Sequence, residues 1–279
     1  QSKAGLSMER FLEFLDKDDI EIRLVTSKLL NDYRKKASIE QRSESTFRSD
    51  LHHLSSMFEF AKRENLLSDY HYNPFKNVKL TNLKKGTKRE PFTDEILKML
   101  IKLSEDERDK LQTIFLSYYS GMRISEVFTA QVISEKNILC LSVAKDGGKT
   151  ASAKRIIPIH HHLKKVLSDR NWMPDINDGF VWQTPSDNGL EKKFLRLKNS
   201  TLDKLGMSKD KAKYVHHSFR HGFSTMLLQA GYNELEGADL LGHKRENIGR
   251  TEAGRSYFAR QDISKLVQMV ESIPILEIT

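Results

Sequence analysis

Apolar positions recur at steps of three and four along most of this chain, so it reads as predominantly helical. Phe11, Leu12, Phe14 and Leu15 form one stripe; Ile22, Leu24, Val25, Leu29 and Leu30 form a second. Leu51, Leu54, Met57, Phe58 and Ala61 form a third, with the strongest helical period. The helical region spans residues 6–75 and ends at Asn73-Pro74, because a residue before proline is pushed out of the α basin. Residues 76–92 are polar, basic and weakly periodic, as a linker would be. A second region opens at Phe92, where Thr93 caps a predicted helix to about Leu103; another covers about 106–119 and stops near Gly121. At 137–143 and 154–159 the pattern alternates or runs apolar with β-branched residues, predicting a hairpin around Lys145-Asp146-Gly147-Gly148-Lys149. The remainder is helical, broken at Gly206, Gly231 and Gly242, and a last helix over about 261–273 buries Ile263, Leu266, Val267 and Val270 before Pro274. The expected fold class is mainly α with a small β-sheet (α+β), in two domains.

Composition narrows this. With 279 residues, 38% hydrophobic and 30% charged, the chain suits two domains that bury cores without staples, and it is neither disordered nor membrane-spanning. Its single cysteine, Cys140, excludes an internal disulfide framework or a Cys-based zinc cluster and reads as a buried strand thiol. No signal peptide is seen, which predicts a reducing, cytoplasmic setting. The chain opens on Gln1-Ser2-Lys3 rather than Met, so a processed product or a piece of a longer protein is expected.

The net charge of +8 is unevenly placed. Residues 1–75 carry 12 basic and 13 acidic side chains, whereas 76–90 carry six basic and one acidic, and 191–214 eight and three. Short positive blocks suit a polyanion surface, since each neutralised phosphate releases counterions; a solvated face or linker explains them equally well.

Candidate chemistry gathers late in the chain. His217 and Arg220 are three apart on a helix, so they share a face, and a helix N-terminus suits phosphate. Tyr119-Ser120-Gly121-Met122-Arg123-Ile124-Ser125-Glu126 brings a second arginine at a helix break, Leu240-Leu241-Gly242-His243 follows Arg220 by 23 residues, and Tyr257 is the only tyrosine after His243. His160-His161-His162 reads as a solvated turn rather than a metal site, since adjacent imidazoles do not converge without further ligands; His52-His53 and His216 read the same way. Gly147-Gly148-Lys149 is too short for a phosphate-binding loop.

Together these boxes resemble the tyrosine recombinase (phage integrase) family. Gly121, Arg123 and Glu126 match its Gly-x-Arg-x-x-Glu box, His217, Arg220 and His221 its second box, and His243 its Leu-Gly-His box. The resemblance covers about 92–262, and residues 1–75 resemble the helical core-binding, DNA-binding domain that precedes it. It implies a basic linker at 76–91 and a catalytic domain at 92–279 with a C-terminal docking helix and tail. One departure is the 14-residue gap from His243 to Tyr257, longer than the family's usual spacing, which reads as a lengthened loop holding Gly249 and Gly254.

The resemblance implies a site-specific DNA recombinase or integrase of a phage or mobile element. It would cut and rejoin DNA through a 3′-phosphotyrosyl intermediate and a Holliday junction, with Tyr257 as nucleophile. Arg123 and Arg220 would clamp the phosphate, His217 assist proton transfer, and His243 bond a phosphate oxygen. A hairpin lysine would protonate the leaving oxygen; Lys149 stands nine residues before Pro158, and Lys145 is the alternative at 13. Glu126 would orient the arginine box. At neutral pH only about one tyrosine in a thousand is ionised, so such assistance is required. No cofactor or metal is implied. The expected partners are double-stranded DNA, a homotetramer on paired sites and an accessory DNA-bending protein, in a nucleoid-associated setting. The tail would dock either on its own chain or on a neighbour. A type IB topoisomerase and a catalytically silent DNA-binding protein are the competing readings.

Overall fold

The computed structural model describes residues 2–68, 72–143, 154–176, 187–243 and 262–277. The chain divides into two compact units, Gln1–Thr87 and Lys88–Thr279.

The first unit is a small helical body: α1 (Lys3–Leu15), α2 (Ser27–Ile39) and α3 (Glu44–Arg63). Each starts where a hydroxyl accepts an otherwise unpaired backbone N–H: Ser2 from Gly5, Thr26 from Leu29 and Ser43 from Thr46. The core is aromatic, with Phe11 edge-on to Tyr33 and Phe75 at 5.2 and 5.8 Å between ring centres. Two details depart from the stripes. The second stripe is not one helix, because Thr26 restarts it: Ile22–Leu24 is a separate 3-10 turn and Leu24 is exposed. Met57 also points outward.

Residues 76–84, polar by composition, lie against this unit. Val78, Leu80 and Leu83 pack on its core, Arg34 Nη1 donates to the Thr81 carbonyl (2.8 Å), and Glu44 N–H donates to Lys84 O (2.8 Å). Three apolar residues without helical spacing leave little trace in a periodicity search.

The second unit holds α4 (Asp94–Lys102), α5 (Arg108–Ser120), α6 (Ile124–Thr129), β1 (Ala130–Glu135), β2 (Ile138–Val143), β3 (Arg155–Pro158), α7 (His161–Asp169), α8 (Asp187–Lys204), α9 (His217–Gln229), α10 (Glu234–Leu241) and α11 (Ile263–Glu271). The three strands form an antiparallel sheet in chain order, with Val132 opposite Leu141 and Leu141 opposite Ile157. The predicted hairpin is β2–β3; β1 is an addition, short and following directly on α6. Helix α5 is buried on every side from Leu111 to Ser120 and packs against α9. Cys140 is fully buried in β2, and burial pushes its thiol up to about 11. Thus the fold is mainly α with a small sheet. No helix among the described residues is long and apolar enough to cross a membrane.

Much of the positive block at 191–214 is internally neutralised. Lys193 pairs with Asp109, Lys211 with Asp203 and Lys213 with Asp210, while Lys198 is buried and donates to the Lys211 carbonyl.

Candidate active site

Three turns of backbone bring the site together. The first is the end of α5, where Gly121 takes the left-handed conformation (φ 59°). A Cβ there would lie 2.8 Å from the Phe223 ring, so both the angle and the close approach of α9 demand glycine. The turn delivers Arg123 to the N-cap of α6, where its backbone N–H donates to Glu126 Oε2 (2.8 Å) and its Nη1 to Oε1 (2.7 Å). The Arg123 side chain keeps 43% of its surface exposed.

The second is the start of α9. Its buried face is Phe219, Arg220, Phe223 and Leu227, so a guanidinium occupies a core position. Arg220 Nη1 donates to the Gly121 carbonyl (3.0 Å), and Nη2 donates to the Leu241 carbonyl. Its Nε–H is buried without a hydrogen-bond partner among the described residues. His217, one turn back, is exposed beside His221.

The third is the end of α10. Gly242 is again left-handed (φ 65°), and His243 N–H closes the turn on the Ala238 carbonyl (3.0 Å).

Electrostatics tie these together. Burial would raise the Glu126 carboxyl, but hydrogen bonding and charge from Arg155, with Arg123 N–H and side-chain donation, hold it at about 2. Arg220 is lowered to about 9 by burial and then by Arg123 and Arg155. Although the His217 residue is exposed overall, its ring is partly desolvated against the cluster; that first, then His221, Arg220, Arg123 and His243, bring it down to about 4. His243 is lowered by burial, then by Arg220, Arg123 and Arg155. The structure therefore brings Arg123, His217, Arg220 and His243 within one another's field, with Glu126 among Arg123, Arg220 and His243. Lys149, Lys145 and Tyr257 lie outside the described residues.

Sequence spacing assigns no role to Arg155. It stands at the start of β3, 5% exposed in its side chain, forked onto Glu126 (Nη2 to Oε2, 2.8 Å). The available signal was strand alternation, which places 155 on the inward face with Ile157. Among the described residues three guanidiniums, Arg123, Arg155 and Arg220, lie within 4.0 Å of one carboxylate, Glu126, so the cluster carries excess positive charge.

The histidines read as solvated turns are mostly packed. His216 Nε2 bonds Ser117 Oγ (2.8 Å) between Phe194 and Phe219, and burial, then His217, push it down to about 3. His53 bonds Ser7, while His52 is exposed. His160 is fully buried on Tyr119, and its Nε2 bonds the carbonyl of Ile273, which the linear sequence sets 113 residues away. His161 bonds Glu271 through both its backbone and ring. His160, His161 and Glu271 come close enough to hold a metal, but the rings argue otherwise. His160 Nδ1 already accepts His162 N–H (3.0 Å), which leaves the proton on Nε2 facing the Ile273 carbonyl. A metal at Nε2 would require a proton on Nδ1, against a backbone N–H. The cluster instead fastens residues 271–276 onto α5 and α7, with Tyr119 OH accepting Leu276 N–H (2.8 Å) and bonding His162 Nδ1 (2.7 Å).

Fold and cluster together define an α+β unit built around an arginine cluster of excess positive charge. The sequence profile described as the phage integrase family matches residues 89–251, and the chain belongs to that family. It is an enzyme of the tyrosine-recombinase type. It is 28% identical over 241 residues to a "Tyrosine recombinase" of Pseudothermotoga lettingae, covering 85% of this chain and 80% of that one. It is 27% identical to "Tyrosine recombinase XerC" of Leptospira interrogans (serovar copenhageni), covering 86% and 77%. Among solved structures, the Tn1549 transposon integrase in complex with transposon right end DNA superposes with TM-score 0.63 at 21% identity, over 95% of this chain and 91% of that one. A lambda integrase dimer bound to a COC′ core site gives 0.63 at 15% identity, over 90% and 92%.

Proposed function

We propose that the protein is a site-specific recombinase that cuts and rejoins double-stranded DNA through a 3′-phosphotyrosyl intermediate. The observation that carries this reading is Arg220: a buried guanidinium whose Nε–H has no partner among the described residues, inside a cluster of excess positive charge. A phosphodiester, whose negative charge is shared by two non-bridging oxygens, satisfies that donor and that charge together. The DNA held by the Tn1549 and lambda integrases supports the same substrate class.

In this reading the Tyr257 oxygen attacks the scissile phosphorus. The new P–O bond forms as the bond to the 5′ oxygen breaks, and Lys149 supplies the proton that makes the leaving group a free hydroxyl. Arg123 and Arg220 clamp the non-bridging oxygens, where charge grows in the pentacoordinate state, and each such donor contributes on the order of 3 kcal/mol. His217, neutral at pH 7, accepts the tyrosine proton. His243 bonds a phosphate oxygen. Because the phosphotyrosyl bond conserves the phosphodiester's energy, rejoining by a 5′ hydroxyl requires no ATP. Exchange of both strands proceeds through a Holliday junction in a homotetramer on paired sites, serving a phage or mobile element with a DNA-bending partner.

The first unit contributes duplex contact in this reading. Helix α3 presents an open groove of about 500 Å³ lined by Glu44, Ser45, Arg48, Ser49, His52, Lys85 and Gly86, in which Arg48 pairs with Glu44 (2.6 Å) and the serines, His52 and Lys85 offer hydrogen-bonding groups for backbone and base edges.

Covalent trapping tests the proposal. Incubated with nicked duplexes from the DNA flanking its gene, the protein forms an adduct that resists denaturation and disappears in Tyr257→Phe. An adduct that survives Tyr257→Phe removes Tyr257 as nucleophile. Relaxation of supercoiled DNA without any pairing of sites would favour the topoisomerase reading.

A further inference from the structure

We infer that Arg155 is a positioning residue for strand cleavage, one that braces the Arg123 guanidinium and the turn bearing His243 in a single frame. The inference rests on the recombinase reading above and adds a residue that lies outside the boxes around Arg123, Arg220 and His243.

The geometry is specific. Arg155 Nε donates to the Leu240 carbonyl (2.6 Å), and Nη1 and Nη2 donate to the two Glu126 oxygens (3.3 and 2.8 Å). Those same oxygens orient Arg123: Oε1 accepts its Nη1 and Oε2 its backbone N–H. Arg155 thus stands behind the carboxylate, holding it in the rotamer that Arg123 needs. Its other hand holds the end of α10. A Cβ on Gly242 would meet Arg155 Nη1 at 2.8 Å, so the turn that launches His243 closes directly against the guanidinium. Arg155 also lies six positions after Lys149, at the first residue of β3. Packing alone does not explain it. An apolar side chain would fill an inward strand position next to Ile157 with less penalty, since burying an ion pair costs several kcal/mol per ion.

Arg155 acts through neighbours, because its nitrogens face protein acceptors rather than the exposed side of the site. Its charge also reaches Arg220 and His243, both of which it makes harder to protonate.

The test compares Arg155→Lys, Arg155→Met and the double variant Glu126→Gln/Arg155→Met with the wild type. Adduct formation is measured in single turnover at saturating nicked duplex, alongside DNA affinity, thermal melting and a cleavage profile from about pH 5 to pH 8. Arg155→Met is expected to slow cleavage about 10- to 100-fold, with affinity changed less than about threefold. Arg155→Lys recovers part of the rate. The double variant leaves no unpaired buried carboxylate but also removes the anion that orients Arg123, so it reports on folding and not on Arg155; if Arg155→Met does not fold, Arg155→Lys, slower than the wild type at an unchanged melting temperature, decides the matter. Loss of a cation beside His243, with Glu126 still charged, moves the acid limb of the Arg155→Met profile to higher pH. A purely structural role would reduce the active fraction and leave that limb in place. Wild-type rates in Arg155→Met, or in Arg155→Lys where Arg155→Met does not fold, overturn the inference, as does an unmoved limb in Arg155→Met. A wild-type protein that yields no Tyr257-dependent adduct overturns instead the recombinase reading beneath it.

Discussion

Each unit buries a carboxylate among arginines, and the two do it to opposite ends. In the first, Asp50 is 1% exposed and receives Ser7 Oγ (2.8 Å), Arg10 (2.8 Å) and Arg42 (3.4 Å); Arg42 in turn pairs with Glu40 and bonds Tyr33 OH. Two cations meet two anions and the charges balance. In the second, Glu126 has three guanidiniums near it, and one of them, Arg220, keeps a buried N–H without a partner among the described residues. A satisfied network specifies a fold; a positively unbalanced one, costly in isolation, is offset by an anion that arrives later. Buried charge by itself therefore does not mark a site, whereas its imbalance does.

The sharpest way to break this contrast is to remove one side chain from each network. Arg220→Ala should lower single-turnover cleavage by about 10²- to 10³-fold, as loss of one transition-state donor does, with the fold retained by circular dichroism. Asp50→Ala should do the reverse, costing about 2–3 kcal/mol in urea unfolding while the folded fraction cleaves at the wild-type rate. Equal rate losses in the two variants would erase the distinction.

Protons sharpen it further. His217 titrates at about 4 in the native protein, against about 6.5 in an unfolded chain. Between those values the unfolded chain binds a proton that the native one refuses, so stability falls as pH drops through that window. In His217→Gln this part of the slope should disappear from melting curves. On the proposed reading a bound phosphodiester brings negative charge and raises His217, so calorimetry near pH 6 in buffers of different ionisation enthalpy should register proton uptake.

The smallest effect belongs to the tail. Tyr119→Phe removes the oxygen that accepts Leu276 N–H and bonds His162, and should cost about 1 kcal/mol. Limited proteolysis should then cut near Pro274 sooner than in the wild type. An unchanged cutting rate would mean that Tyr118, which donates to the Pro274 carbonyl, and the buried Ile273 and Leu276 hold the segment without it.

What the linear chain determined was whatever depends on neighbours in sequence. Helical stripes, the hydroxyl cap at Thr93 and the breaks at Gly121 and Gly242 are local, and the structure places helix ends there. So is the spacing of His217 and Arg220, and the β2–β3 hairpin. The boxes around Arg123, Arg220 and His243 were visible as motifs, but nothing in their spacing said that a common carboxylate joins the arginines. The tertiary structure decided that, along with the core position of Arg220, the brace of Arg155 and the cradle of His160–His162 around residues 271–276. Contacts such as these span 21 to 113 residues of chain. The physical reason is that periodicity records which face of an element avoids water, and says nothing of which buried polar group will meet which. That pairing is fixed only when helices and strands close on one another, where a buried donor must find its acceptor or wait for a ligand to bring one.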